Sequence, residues 1–375
     1  MRFLHTADWH LGMTRRFLPP EAQARFADDR LQAVRDMARL ATDEGCGFVV
    51  ASGDLFDSNH VDRQAVARAV DALSAFEVPV YLLPGNHDPL DAASVYRSAA
   101  FADRCPAGVT VIDHSGPIDV APGVQVVGAP WRTRRPGRDL AADALAPLGP
   151  SDGVTRVLVA HGAVDSLAPD PAEPALIHVE SLRHALFSGA IGYVALGDRH
   201  SATVVGDDPR IRYAGTPMAT DHDQPGAGTA LVVECGTSGV EVHEHRVGRW
   251  RFERIEARMA GADDVERLDA RLHALPDKPR AVVRLSLVGA LSVAEDARLQ
   301  EVIALHRDVL AGLTVSEGRS DLSVFVDDDG LRALGLTGYA RDAAEELAAL
   351  VEADGDAAVA ARDALRLLSR LAGPA

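Results

Sequence analysis

The sequence predicts an α/β protein with polar side chains gathered at one edge of a parallel sheet. Two observations predict this class. Short apolar segments alternate with amphipathic ones through the first 90 residues, which is the pattern of parallel strands joined by crossover helices. Polar residues follow each apolar segment directly, and ligands bind at the carboxyl ends of strands in such proteins.

The first predicted strand leads into Asp8 and His10. Residues i and i+2 of an extended chain point to the same side, so these two side chains can converge. A crossover helix is predicted over residues 21–42, because apolar residues recur there at helical spacing. The second strand, residues 48–52, is apolar on both faces, as a central parallel strand is, and it leads into Asp54.

The next predicted helix and strand occupy residues 61–83. A Pro-Gly break then ends the strand, so that Asn86, His87 and Asp88 project from its carboxyl end. A turn with a polar tip is the alternative explanation of this stretch. No glycine-rich phosphate loop follows the first strand, which disfavours a Rossmann or P-loop protein.

The later elements repeat this arrangement. They are a helix at 92–105, short strands at 109–112 and 124–127, and longer strands at 156–160 and 191–196. His161 directly follows the first of the longer strands, and Asp198 and His200 follow the second.

A loop over residues 131–138 contains a tryptophan and four arginines, three of which are Arg132, Arg134 and Arg135. A solvated loop is one explanation of this charge cluster. Contact with a nucleic-acid backbone is the other, because arginine and aromatic side chains together suit that ligand. The net charge of −17 argues against a protein that holds nucleic acid through charge alone, although it leaves room for a local basic groove.

The three cysteines, Cys46, Cys105 and Cys235, lie far apart in different predicted elements. This spacing predicts neither a disulfide framework nor a paired-cysteine metal site, and it favours a reducing compartment, the cytoplasm. No apolar run is long enough to span a bilayer, so we expect no membrane segment.

The polar residues after the strands are most informative as a set. Each has an oxygen or nitrogen donor, and together they suit two divalent cations that share a carboxylate, the arrangement used for in-line displacement at phosphorus. The candidate metal ligands are Asp8, His10, Asp54, Asn86, His161, Asp198 and His200.

These motifs resemble those of the calcineurin-like metallophosphoesterases. The matching pieces are Asp8-x-His10, Gly53-Asp54, Gly85-Asn86-His87-Asp88, His161-Gly162 and Gly197-Asp198-x-His200. The opening segment through Gly12, the stretch Gly53-Asp54-Leu55-Phe56-Asp57 and the segment Tyr213-Ala214-Gly215-Thr216-Pro217 are closer still to the DNA repair exonuclease branch, the SbcD/Mre11-type nuclease subunits. The resemblance is strong over residues 1 to about 235.

The resemblance implies a sandwich of two mixed β-sheets flanked by helices, followed by a small α+β capping domain. It places the nuclease domain at residues 1–248, the capping domain at 249–329 and a helical tail at 330–375. The apolar spacing of the tail is typical of amphipathic helices, which either bind a partner or pack back on the cap. The residues of this stripe are Leu347, Leu350, Val351, Val359, Leu365, Leu368 and Leu371.

The resemblance also implies roles for the motif residues. Asp8, His10 and His200 would hold one metal ion, and Asn86, His161 and Asp198 would hold the other, with Asp54 bridging. His87 would protonate or stabilise the leaving oxygen, oriented by Asp88. The ions would be manganese, with magnesium as the alternative.

The activity implied is that of a 3′→5′ exonuclease on DNA ends that also cuts single strands. Such a subunit works in DNA repair and recombination as a homodimer, together with an ATPase of the SbcC/Rad50 type. Two alternatives stay open: a DNA-docking subunit with little catalysis, and a phosphodiesterase or phosphatase for small substrates.

One position departs from the family motif, which normally reads Gly-His-x-His, because Asp198 replaces its first histidine. The carboxylates Asp8, Asp54 and Asp198 together make the donor set one unit more negative than usual. We expect such an oxygen-rich site to attract phosphodiesters less strongly and to favour manganese or magnesium over zinc.

Overall fold

The computed structural model describes the chain except for residues 152, 169, 171, 237–238, 326–335, 352–356, 359, 362–363, 366 and 369–375. The chain divides into two compact units. The first comprises Met1–Arg16 with Gln23–Trp250, and the second comprises Phe17–Ala22 with Arg251–Ala375.

The helices and strands are numbered in chain order. The elements up to residue 197 are β1 (Arg2–Thr6), α1 (Pro20–Asp43), β2 (Val49–Ser52), α2 (Arg63–Leu73), β3 (Val80–Leu83), α3 (Ala99–Ala102), β4 (Val109–Val111), β5 (Pro117–Ala121), β6 (Val124–Gly128), α4 (Leu140–Leu145), β7 (Thr155–His161), α5 (Val179–Phe187) and β8 (Tyr193–Gly197). They are followed by β9 (Thr203–Val205), β10 (Asp208–Tyr213), β11 (Thr229–Gly236), β12 (Gly239–Arg246), β13 (Arg251–Met259), α6 (Ala262–His273), β14 (Ala281–Ser292), α7 (Val293–Arg307), β15 (Gly312–Val315), β16 (Asp321–Phe325) and α8 (Tyr339–Val351).

The first unit contains two mixed six-stranded sheets. One has the strand order β12-β11-β1-β2-β3-β4 and the other β5-β6-β7-β8-β10-β9. In the first sheet β1 to β4 are parallel and β11 and β12 are antiparallel, and in the second β6, β7, β8 and β10 are parallel. This architecture confirms the predicted sandwich of two mixed sheets with helices.

Apolar side chains from the inner faces of both sheets form a shared core. Phe3 stacks on Phe48 at 4.9 Å between ring centroids, and Tyr193 of the second sheet meets Phe3 edge-on at 5.6 Å. Helices α1 and α2 cover the outer face of the first sheet, and α4 and α5 cover that of the second. Strands buried on both faces explain why β2 and β8 consist almost entirely of apolar residues.

The second unit is built on a parallel sheet in which β13, β15 and β16 all pair with β14. Apolar residues of α6 and α7 pack with those of β13 and β14. A capping box of Ser292 and Glu295 starts α7, with both reciprocal hydrogen bonds present.

The described part of the tail packs within this unit. Val351 of α8 and Leu365 lie in a buried cluster with Val293 of α7 and Val324 of β16, and Leu347 and Leu368 pack against it. Leu350 is 42% exposed, and Val359 and Leu371 lie outside the described residues. Of the two alternatives for the tail, the buried part of the stripe therefore supports packing on its own unit.

The helix predicted over residues 92–105 is wrong. That segment forms a short 3₁₀ turn at Val95–Arg97 and a four-residue helix, α3, separated by Ser98 in an extended conformation. The Ser98 hydroxyl accepts a hydrogen bond from Phe101 N, so this residue caps a new helix and does not continue an old one. In the described part of the chain, no helix is long and apolar enough to cross a membrane.

Candidate metal centre

The two sheets of the first unit bring their strand ends together at one place. Asp8 lies beyond β1 and Asp54 beyond β2, and the loop after β3 carries Asn86. From the other sheet come His161, the last residue of β7, and Asp198, which directly follows β8. Asp8 N and His10 N donate to the carbonyls of Gly53 and Asp54, each at 3.0 Å, which ties the first two loops to each other.

The backbone at this centre is strained. Asp8, His10, Asp54 and Asp198 have φ values of 54°, 46°, 54° and 100°, and Asp277 is the only other described non-glycine residue with a positive φ. Such conformations cost about 1–3 kcal/mol each and are found at functional sites, where surrounding structure maintains them. The strain therefore marks four of the seven candidate ligands.

Two glycines allow the strand ends to approach. A Cβ at Gly53 would lie 2.1 Å from His161 Nδ1, and one at Gly197 would lie 1.8 Å from the Ser52 carbonyl oxygen. No side chain fits at either position, which explains why glycine precedes both Asp54 and Asp198.

Asp8, His10 and His200 form one donor group, with ligand atoms within 4.8 Å of one another. The Nε2 atoms of the two histidines converge to 2.9 Å. On its far side the His200 ring meets Thr220 Oγ1, 3.2 Å from Nδ1. Burial lowers the pKa of both rings, to about 3 for His200, so they present neutral nitrogens to the same point, as metal ligation requires.

A second donor group surrounds His161. Its Nδ1 donates to the Ser52 carbonyl at 2.8 Å, so in the neutral ring Nε2 carries the lone pair. This lone pair faces Asn86 Oδ1 at 2.8 Å, Asp54 Oδ2 at 3.3 Å and Asp198 Oδ1 at 3.9 Å. Four electron-rich atoms around one point need a cation among them, and a divalent metal ion fits this donor set.

The charges at this point depend on each other. Burial is the largest influence on the pKa of His161 and lowers it, but the charge and hydrogen bond of Asp54 together with the charges of Asp8 and Asp198 outweigh burial and raise that pKa well above its usual value. Burial likewise opposes ionisation of Asp54, yet the charge and hydrogen bond of His161 hold the Asp54 pKa below its usual range. A proton on His161 thus compensates Asp54 where no metal ion does.

The Asp8 carboxylate is held by the backbone of position 198. Asp198 N lies 3.1 Å from each Asp8 carboxylate oxygen, and Thr216 Oγ1 donates to the Asp8 carbonyl at 2.7 Å. The Asp198 side chain is 36% exposed, and its carboxylate lies on the His161 side of the centre.

The expectation that Asp88 orients His87 is wrong. Asp88 is fully buried and accepts hydrogen bonds from Phe56 N at 3.0 Å, Gly85 N at 2.8 Å and the Tyr96 hydroxyl at 2.6 Å. Burial, with the charge of Asp54, raises its pKa to about 6. Asp88 therefore fixes the loop after β3 and not the His87 ring.

His87 is oriented by a backbone carbonyl instead. Its Nδ1 donates to the Asp57 carbonyl at 2.8 Å, which leaves Nε2 directed to the centre, 4.0 Å from Asp54 Oδ2. The ring is 43% exposed, unlike the buried ligands. His10, Asp54 and His87 also form a third group whose ligand atoms lie within 4.8 Å of one another.

Trp131 is a residue of this site that sequence reasoning did not identify as such. Its indole Nε1 donates to the His161 carbonyl at 2.7 Å, its backbone N donates to the Pro84 carbonyl at 3.2 Å, and its own carbonyl accepts from Leu90 N at 2.8 Å. The buried tryptophan thus joins the strand end that carries His161 to the loop that carries Asn86 and His87. The feature of the sequence that could have identified Trp131 as a site residue is its position at the start of the arginine-rich loop.

The arginines after Trp131 are exposed. Arg132 donates to the Asp113 carbonyl, and Arg138 pairs with Asp143 at 2.7 Å, whereas no described residue pairs with Arg134 or Arg135. Arg132, Arg135 and Arg138 line a cavity of about 440 Å³. The loop is therefore anchored at the metal centre by Trp131 and presents guanidinium groups to solvent.

Three comparisons with known proteins show what this chain is similar to. Residues 1–165 match the family model for calcineurin-like phosphoesterases. Over 370 aligned residues the chain is 27% identical to the D subunit of the SbcCD nuclease of Rhodobacter capsulatus, covering 84% of this chain and 87% of that protein. A crystal structure from Thermus thermophilus is 13% identical with a TM-score of 0.42, covering 66% of this chain and 98% of that one. A dimetal phosphatase from Danio rerio is 14% identical with a TM-score of 0.39, covering 65% and 98%.

The family model spans four of the strand ends that carry the candidate ligands, from Asp8 to His161. Residues 1–165 are thus similar to the calcineurin-like phosphoesterases, a family of metal-dependent hydrolases, and over most of its length the chain is similar to the D subunit of the SbcCD nuclease.

Proposed function

We propose that this chain is a two-metal DNA nuclease subunit. The observation that carries the proposal is the convergence of two donor groups from five strand ends, one at His10 and His200 and one at His161, with Asp54 beside both. The similarity to a subunit of the SbcCD nuclease supports DNA as the substrate.

We assign Asp8, His10 and His200 to one ion and Asn86, His161 and Asp198 to the other, with Asp54 shared. Two divalent ions held here would neutralise the phosphate charge and stabilise the attacking and leaving oxygens of an in-line displacement. Carboxylate and amide oxygens are numerous in this set, which favours manganese, with magnesium as the alternative.

His87 is assigned the proton transfer. Its Nδ1–H is committed to the Asp57 carbonyl, so Nε2 is the atom that faces the centre. Because the ring is 43% exposed, a substrate can reach it, and a protonated Nε2 can donate to the oxygen that leaves when the phosphodiester bond breaks.

Arg132, Arg134 and Arg135 are assigned to the DNA backbone. They follow Trp131, which hydrogen-bonds both ligand-bearing loops, so their guanidinium groups lie on a loop of fixed position relative to the metal centre. Such a local basic patch suits a protein whose net charge of −17 gives no general attraction to nucleic acid.

The proposed activity is 3′→5′ exonuclease action on DNA ends together with cleavage of single strands, in DNA repair and recombination. The proposed partner is an ATPase of the SbcC/Rad50 type, on the basis of the two-subunit nuclease named in the comparison. We also propose a homodimer in the cytoplasm. Residues 330–375 stay a candidate partner-binding segment only through their exposed side chains, such as Tyr339 and Leu367, because the buried ones pack on their own unit.

A DNA-docking subunit with little catalysis is the second candidate. The observation that favours it is Asp198, whose partly exposed side chain makes the site more negative than the family motif does and so weakens the attraction of the metal centre for the scissile phosphodiester. A phosphodiesterase or phosphatase for small substrates is the third candidate function.

The deciding experiment is digestion of linear duplex DNA by the pure protein with manganese, using strands labelled at the 3′ or the 5′ end. Early release of the 3′ label from the duplex, with slow hydrolysis of nucleotides and small phosphate esters, is expected. Asp54→Asn should be inactive, and Asp71→Asn on the exposed face of α2 is the matched control. Metal binding without cleavage of any DNA would support the docking subunit, and preference for the small esters would support the phosphatase.

A further inference from the structure

Asp57 contacts two histidines of the proposed centre, one through its side-chain carboxylate and the other through its backbone carbonyl. Its carboxylate Oδ1 lies 3.6 Å from His10 Nδ1, and its backbone carbonyl accepts the hydrogen bond from His87 Nδ1 at 2.8 Å. The two rings are neighbours, with centroids 5.0 Å apart and planes at 82°. One residue therefore contacts the ring nitrogen that each histidine turns away from the centre.

The Nδ1 atom of His10 is buried without a hydrogen-bond partner among the described residues. The ring as a whole is only 2% exposed. A buried donor without an acceptor is costly, and a buried lone pair opposite a carboxylate would be repelled. At 3.6 Å the Asp57 oxygen is slightly beyond hydrogen-bond range, and because this side chain is 33% exposed, it can move to close the gap.

The position of Asp57 is well defined. Asp57 N donates to the Leu11 carbonyl at 3.0 Å, and Leu11 and Phe56 form a parallel bridge. The loop after β2 is thus hydrogen-bonded along the loop after β1 as far as Asp57. The same contacts that bring Asp54 to Asp8 bring Asp57 to His10.

We infer that Asp57 is a positioning residue that selects the tautomers of both histidines. Its carboxylate keeps the hydrogen of His10 on Nδ1, so that the Nε2 lone pair faces His200 and the metal. Its carbonyl keeps the hydrogen of His87 on Nδ1, so that the Nε2 atom faces the substrate. A carboxylate that accepts from the far nitrogen of a ligating histidine both orients the ring and makes it more basic.

The role of Asp57 in metal binding and catalysis rests on the proposed function, but the tautomers of His10 and His87 can be measured whether or not that function is correct. The side chain and the carbonyl can be separated, because Asp57→Ala removes the first and leaves the second. The variant should therefore disturb His10 and spare His87. Loss of the whole loop would disturb both rings, so His87 serves as an internal control.

The first measurement is nitrogen-15 NMR of the histidine rings in the metal-free protein. His10 should be in the Nδ1–H form in the wild type and a mixture of tautomers in Asp57→Ala, while His87 stays in the Nδ1–H form in both. Asp57→Asn retains an oxygen acceptor of the same size and should restore much of the His10 tautomer. An unchanged His10 tautomer in Asp57→Ala would overturn the inference.

The second measurement is calorimetric titration with manganese. Asp57→Ala should weaken one of the two binding steps by about 10–100-fold and leave the other unchanged. Asp91→Ala, which removes a carboxylate from the neighbouring loop, should change neither. Equal weakening of both steps, or of neither, contradicts the role of Asp57, whereas a wild type that binds no metal contradicts the proposed function and leaves the tautomer result to decide the inference.

Discussion

His5 makes the stability of the first unit sensitive to acid. The ring is fully buried between the sheets, 3.2 Å from the Tyr193 hydroxyl through Nδ1 and 3.2 Å from the Leu196 carbonyl through Nε2. The carbonyl can only accept, so Nε2 donates to it and Nδ1 accepts from the tyrosine. This pairing needs the neutral ring, and burial lowers the pKa of His5 from 6.5 to about 3.

The magnitude follows from the two pKa values. Between pH 6.5 and about 3 the unfolded chain binds a proton at His5 and the folded protein does not, so stability falls as the pH falls through this window. At pH 5 the loss relative to pH 7 is about 2 kcal/mol, since each pH unit below the unfolded value costs about 1.4 kcal/mol.

The assay is urea unfolding of wild type and His5→Gln at pH 7 and pH 5, in the presence of a chelator. Tryptophan fluorescence reports on the first unit alone, because all three tryptophans, Trp9, Trp131 and Trp250, belong to it. His5→Gln should be less stable at pH 7 but should lose about 2 kcal/mol less than wild type on acidification. The constant cost of the replacement cancels in this comparison.

His243→Gln, at an exposed position of β12, controls for loss of a histidine as such and should lose as much as wild type. If His5→Gln and wild type lost equal stability between pH 7 and pH 5, the buried neutral ring would not be the source of the acid sensitivity.

Three further predictions concern the centre itself. Asp54→Asn should abolish hydrolysis and lower the number of bound manganese ions, measured by metal analysis after gel filtration; two retained ions with normal turnover would exclude a bridging role. His87→Ala should reduce the turnover of DNA by about 10²–10⁴-fold while both ions stay bound, and loss of an ion before loss of rate would make His87 a ligand instead. Asp198→His should bind zinc better and should be inhibited more strongly by phosphate, because one negative charge is removed; unchanged metal preference and inhibition would mean that Asp198 does not face the ions.

The sequence predicted the placement of the candidate ligands because each of them lies at the end of a buried, mostly apolar strand or within four residues after it. A run of residues that is apolar on both faces, such as β2 or β8, is typical of a buried parallel strand. The glycine or proline at its end then marks where the strand stops and the polar residues begin. The alternation of strands and helices then predicts one sheet edge for these ends, whereas the structure divides them between two sheets. The two-sheet sandwich was implied by the family resemblance, because local pattern does not specify how two sheets pack.

The partners of those ligands could not be predicted in the same way. Asp88 is next to His87 in sequence, yet its side chain turns inward to Phe56 N, Gly85 N and Tyr96, and a carbonyl from another loop orients His87 instead. Hydrogen-bond direction depends on how two loops pack, which adjacency in sequence does not specify. The same limit applies to Trp131, which local pattern assigns to a charged loop although it is a buried link between two ligand-bearing segments.

At position 198 the local backbone conformation and the packing of two loops act together. Its backbone N–H lies 3.1 Å from both Asp8 carboxylate oxygens, and this contact depends on a φ of 100° and on the close approach at Gly197, not on the side chain. Aspartate and histidine both tolerate left-handed backbone better than most residues. The chain can therefore have aspartate where the family motif has histidine without a change in the position of Asp8. We expect this replacement to change the charge and the metal preference of the centre and to leave its geometry unchanged.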